Sequence, residues 1–188
     1  RPKPIDWDEF YKKAIELILY VASRCKDDPQ YGMTKLYKIM FYCDFGAYRN
    51  FGRSITGQPY RKLPNGPAPY YGRGIIDHAI LDGAIRIVEN DRGDFGEGAY
   101  VEQRVVPERK PNLGMFNRKE LQLTDEVIDA LRPVSATKAS ELSHKFPAWQ
   151  LAEDKEIIPY ETILVGTRKP TRREIEKGRK HVSLEQKH

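Results

Sequence analysis

The sequence predicts an α+β fold, predominantly helical, built as a compact single domain with a central buried helix and a small antiparallel β element. Three observations predict it. Apolar residues recur with the 3.6-residue helical period in segments beginning near residues 6, 34 and 117, whereas only 84–89 and 99–106 form longer β-like stretches. The segment 34–51 is apolar or aromatic over so much of its circumference that it calls for packing on several sides. The chain has 188 residues, 39% of them hydrophobic, a size at which one core forms without metal or disulfide staples.

Asp6 to about Lys26 reads as the first helix. Phe10, Ala14, Leu17, Ile18, Val21 and Cys25 form its stripe, and Asp6, Asp8 and Glu9 lie in its first turn, where the positive end of the dipole favours acids. Pro29 follows its end. Thr34 to about Phe51 is the second, with Thr34 as N-cap and Gly52 as terminator. Leu36, Ile39, Met40, Cys43 and Ala47 line one side, and Tyr37, Phe41, Phe45 and Tyr48 the next. Gln58–Leu63 reads as a short strand, Pro64–Pro67 as a turn, Ala68-Pro69 as extended chain, and about Tyr70 to Asp82 as a helix closed by Gly83. Ala84–Glu89 and Ala99–Val106 form a hairpin around a long Gly-rich loop, with Glu102 and Arg104 on a wet face. Asn117–Leu131 is helical and stopped by Pro133. Thr137 caps a short helix to Lys145 that Pro147 ends, and Ile157–Val165 is a last extended-to-helical piece.

Lys and Arg number 32, Asp and Glu 27. Residues 167–188 hold eight basic and three acidic side chains, which leaves 24 of each sign in residues 1–166. The net charge of +5 therefore belongs to the C-terminal stretch. A basic surface spread over the fold, the footprint of a nucleic-acid-binding module, is not supported. No apolar run approaches the roughly 20 residues of a membrane span. Residue 1 is Arg, consistent with an absent natural start. Cys25 and Cys43 match no metal-ligand spacing and read as buried, reduced thiols of a cytoplasmic protein.

The search for chemistry returns little. No nucleophile motif and no phosphate-binding glycine loop is present; Gly93–Gly98 is glycine-rich but also acidic, and reads as a hairpin loop. His78 shares a helix face with Asp82, a surface pair in preference to a metal site. His144, five residues before Trp149, reads as structural, hydrogen-bonded to backbone while Trp149 packs on the core; a hydrolase built around it would lack a nucleophile. The chain has 11 Tyr, more than a small core requires, and Tyr60, Tyr70, Tyr71 and Tyr100 fall outside the helical stripes. With a charge-neutral body, these favour a protein interface over base stacking.

Thr34–Asp44 (TKLYKIMFYCD) resembles the "TKLxKLLYxxD" helix of the Panacea domain, the antitoxin domain of SocA-like and GepA-like phage-associated proteins. Gly52–Gly57 is similar to the exit from that helix. Tyr60 with Asn65–Pro69 is similar to its aromatic residue and "GPVxP" turn, and Asp82-Gly83 to the end of its next helix. Ser140–His144 with Trp149 resembles its "LSH…W" element, and Glu156–Tyr160 its "IPY" close. The resemblance spans roughly Ile5 to Val165 and implies structural roles for Lys35, Leu36, Lys38, Asp44, Gly66, Pro67, His144, Trp149 and Tyr160. It implies a compact, largely helical antitoxin that neutralises a cognate toxin by direct binding and, in SocA-type members, delivers it to a Clp-type protease. It carries over no catalytic residue set, no cofactor and no metal.

The resulting expectation is an antitoxin domain over 5–166 with a basic extension over 167–188, cytoplasmic, without enzymatic activity, cofactor or membrane partner. Tyr60, Arg61, Tyr70, Tyr71 and Arg73, around a Gly/Pro-rich turn, are the expected partner contacts. The alternative is a nucleic-acid-binding regulator that uses the basic tail and exposed aromatics.

Overall fold

The computed structural model describes residues 7–91 and 101–164. Helix α1 (Trp7–Arg24) buries the predicted stripe, and helix α2 (Met33–Phe51) is the centre of the molecule. Leu36, Ile39, Met40, Phe41, Cys43 and Phe45 of α2 are all at 0% exposure, so the helix is covered on several sides as its two adjacent apolar stripes predict. Cys25 and Cys43 are buried and free; burial pushes the Cys25 thiol up to about 11 and Cys43 higher still.

The start of α2 differs from the expectation. Its N-cap is Gly32, not Thr34. A side chain at Gly32 would put its Cβ 2.7 Å from Glu102 Oε1, so the approach of another segment decides where the helix begins. The other end is as expected: Gly52 takes the left-handed conformation (φ 74°) and its N–H closes on Tyr48 O at 2.9 Å.

Strand β1 (Tyr60–Arg61) is only two residues long, shorter than the 58–63 expected. It lies between β2 (Ala68–Pro69) and the late strand β5 (Ile157–Ile158), antiparallel to both. Tyr60 stands opposite Pro69 and Ile158, and Arg61 opposite Ala68 and Ile157. Alternation turns the first row into the core; in the second, Ile157 is exposed, Arg61 half-buried and Ala68 buried. Helix α3 (Gly72–Leu81) starts after Tyr70-Tyr71. Strands β3 (Ile85–Asp91) and β4 (Val101–Pro107) form the predicted hairpin; residues 92–100, with Tyr100 and most of the acidic loop, lie outside the described residues.

Helix α4 (Arg118–Leu131) has a complete capping box: Asn117 accepts from Glu120 N–H at 3.0 Å while Glu120 accepts from Asn117 N–H at 2.9 Å. Helix α5 (Ala136–His144) is capped by Ser135 rather than Thr137, because the chain is still extended at Ser135 and its hydroxyl meets Lys138 N–H at 3.1 Å. Pro147 does not simply stop that helix. It opens α6 (Pro147–Leu151), a first-turn position where a missing N–H costs nothing. A 3₁₀ turn at Tyr160–Leu164 then packs on α2. The fold is thus predominantly helical α+β with small antiparallel sheets.

Candidate functional site

Helix α2 carries three charged residues into the core, each with a different solution. Lys35 Nζ lies 2.7 Å from Asp28 Oδ2, with both side chains almost fully enclosed, and also donates to Arg132 O at 3.1 Å. Lys38 donates to Pro67 O at 2.9 Å. No carboxylate pairs with it among the described residues, and burial pulls its pKa down to about 8. Asp44, at 0% exposure, accepts from Thr56 N–H (2.7 Å), Thr56 Oγ1 (2.6 Å) and Tyr60 OH (2.7 Å). Burial raises its carboxyl above the usual range, and these donors pull against that rise.

The turn after β1 is shaped around Lys38. Gly66 sits at φ 91°, and a Cβ there would come 2.2 Å from Ser143 Oγ and 2.9 Å from Lys38 Cε. Glycine is required twice over, by conformation and by space. Pro67 then presents its carbonyl to the ammonium.

The late elements close the same core. Among the described residues His144 makes no hydrogen bond to backbone, where one was expected. Its ring stacks on Trp149 at 4.2 Å and 19°, and its buried Nε2 has no partner. The flat aromatic face, not a polar group, holds the imidazole. Trp149 donates to Leu63 O at 3.3 Å, and Lys62 Nζ stands 4.1 Å from its ring centroid. Tyr160 donates to Gln58 O at 2.5 Å and stacks on Tyr48. Lys35, Leu36, Lys38, Asp44, Gly66, Pro67, His144, Trp149 and Tyr160 therefore surround one structural core.

The expected surface residues separate into three groups. Tyr60 is a correction: it is at 0% exposure with its hydroxyl on Asp44, so it cannot present its ring to a partner. A two-residue strand has no periodicity from which its inward face could be read. Tyr71 is half-buried among Trp7, Phe10 and Tyr11. Arg61, Tyr70 and Arg73 reach the surface: Tyr70 is 42% exposed, Arg61 lies 5.4 Å over its ring, and Arg73 is almost fully solvated beside Asp77.

The model of the antitoxin SocA-like family, Panacea domain, matches residues 36–150, more than half of the chain. The chain belongs to this family. No curated protein and no solved structure matches the chain significantly. The match runs from α2 into α6, inside the 5–165 stretch that resembles the family in sequence. Helix α1 and strand β5 lie outside the match yet bury side chains in the same core, among them Leu17, Ile18 and Ile158.

Three further sites in the chain were not foreseen. Glu102 and Arg104 do not line a wet face. Glu102 is buried against Gly32, and the Arg104 guanidinium donates to the carbonyls of Cys25, Lys26, Asp28 and Tyr31 at 2.6–3.3 Å. It thereby satisfies carbonyls of the segment that follows α1. Glu16, inside an apolar stripe, accepts from both terminal nitrogens of Arg109 and from Asn112 N–H. Burial would raise its carboxyl, but these donors outweigh it and hold the pKa below the usual range. His78 pairs with Asp8 at 3.2 Å rather than with Asp82, at a groove of about 490 Å³ between α1 and α3. Single charges set among apolar residues were the available signal at Glu16 and Arg104; their partners, 93 and about 75 positions away, were not visible in it.

Among the described residues no three His, Cys, Asp or Glu side chains gather as a metal site, and no helix is long and apolar enough to cross a membrane.

Proposed function

We propose that this protein is an antitoxin that neutralises a cognate toxin by direct protein–protein binding in the cytoplasm, through recognition and not catalysis. The observation that carries the reading is the division of labour on the body. The family-motif charges are spent inside the core, while Arg61 of β1, Tyr70 after β2 and Arg73 in the first turn of α3 are left at the surface. Aromatic and Arg side chains concentrate interface energy. Tyr71 supports this surface from behind, through its ring contacts with Tyr70 and Trp7. Handing the bound toxin to a Clp-type protease, as the family resemblance implies, is a second step compatible with the same contact.

The proposed binding unit is 5–166, and 167–188 is an auxiliary basic extension whose attraction to a partner is screened over about 8 Å at physiological salt. The test is co-expression with the product of the adjacent reading frame. The wild-type chain should restore growth, Tyr70→Ala should weaken rescue at any salt in the paired binding assay, and deletion of 167–188 should mainly slow association at low salt. Loss of rescue on deleting 167–188, with full rescue by Tyr70→Ala, would refute this placement. Nucleic-acid binding whose affinity falls steeply with salt would favour the regulator reading instead.

A further inference from the structure

We propose that the outward row of the small sheet is a carboxylate-recognition site, in which Arg61 receives an Asp or Glu side chain of the partner protein. This rests on the binding function proposed above and assigns the chemistry of its central contact.

The strand register places Ala68, Arg61 and Ile157 side by side on the face opposite Tyr60, Pro69 and Ile158. Ile157 is 41% exposed and Tyr70, under the guanidinium, 42%. Arg61 itself is only half exposed, and its Nε is buried with no acceptor.

That state sets Arg61 apart from the other enclosed cations. Among the described residues, Lys13 has Glu120, Lys35 has Asp28, Lys38 has the Pro67 carbonyl, Lys62 the Ala152 carbonyl, and Arg104 four carbonyls. The Arg61 side chain has the Tyr70 ring, and its buried Nε has no hydrogen-bond partner. A guanidinium stacked on a ring is pre-oriented, and its planar fork matches a carboxylate in two-point geometry. The Tyr70 and Ile157 side chains supply an apolar rim that excludes water around such a contact and strengthens it.

The ligand class follows from charge. A phosphate backbone is held by several cations in a row. Here one guanidinium stands between an aromatic and an aliphatic residue, on a body with equal numbers of acids and bases. One acid set in an apolar protein surface is the complementary partner. Arg73, solvated and already beside Asp77, contributes at the rim and not as the anchor.

The experiment measures binding of the purified full chain to the adjacent-frame protein, together with growth rescue. Arg61→Glu should weaken binding about a hundredfold and Arg61→Gln about tenfold, whereas Arg118→Glu on α4 should change it less than about threefold. These variants lose the ring contact with Tyr70 and no hydrogen bond at Nε, so their thermal midpoints should lie within a few degrees of the wild type. Suppressors of Arg61→Glu selected in the partner should convert an Asp or Glu to Lys or Arg. If the wild type neutralises and both Arg61 variants neutralise equally well, this inference is overturned and the antitoxin reading stands. If the wild type neither binds nor rescues, the antitoxin reading fails and takes this contact with it. Tight binding of a short DNA duplex that Arg61→Glu abolishes would make the ligand a phosphate and overturn the carboxylate assignment.

Discussion

Replacing Lys38 by Met should flatten a pH dependence that the wild-type protein carries. Lys38 is enclosed at 2% exposure, donates to Pro67 O, and has its pKa lowered from 10.5 to about 8 by burial. Between these two values the unfolded chain binds more protons at this site than the folded chain, so folding stability rises with pH across that window. At 1.36 kcal/mol per pKa unit, the rise approaches about 3 kcal/mol by the top of the window. Below about pH 8 the folded and unfolded chains are both protonated at Lys38, and the site contributes no slope. Methionine fills similar volume and does not titrate. The assay is urea unfolding of wild type and Lys38→Met from about pH 7 to pH 11, read as the difference in unfolding free energy. The buried tyrosines and cysteines also titrate late, but they are common to both proteins and cancel in the difference. A difference that stays constant across the window, or that falls as pH rises, would refute the reasoning that an ammonium is held here without a carboxylate.

Three other outcomes are expected. Arg104→Met should cost about 2–4 kcal/mol in chemical unfolding, because four carbonyls in the segment after α1 lose one shared donor; a loss below about 0.5 kcal/mol would mean water replaces it freely. Asp44→Ala should cost about 3–5 kcal/mol and Tyr60→Phe about half of that, since the first strands three donors and the second removes one; equal effects would contradict the hydrogen-bond geometry. Leu36→Ala and Ile39→Ala should each lower stability by about 2–4 kcal/mol in thermal unfolding, as both are at 0% exposure, and unchanged midpoints would displace α2 from the centre.

Much of this architecture is legible in the chain because helix formation is local. The stripe from Phe10 to Cys25 and the paired stripes of 34–51 repeat at the helical period, and Gly52 ends α2 by adopting a left-handed conformation that only glycine takes without cost. Local signals also carried the hairpin and the helix after Asn117. They failed at Thr34 and Thr137, where a neighbouring residue took the cap, because every Ser, Thr or Gly near a helix start competes for that position and tertiary approach selects among them.

The sequence by itself determined helices α1 to α5, the family and the separation of a neutral body from a basic end. Only the tertiary structure decided which polar residues are enclosed and with what. Lys35, Lys38 and Asp44 look like ordinary positions of an amphipathic helix. Their partners Asp28, Pro67, Thr56 and Tyr60 come from four different places in the chain. The same holds for Tyr60 and Arg61, adjacent in sequence: β1 sends one ring to Asp44 and leaves the other side chain outside without an acid among the described residues. Helical period is set by neighbours three and four residues away. The cost of burying a charge is set by the donors and acceptors that converge on it in space, and that convergence exists only once the chain has folded.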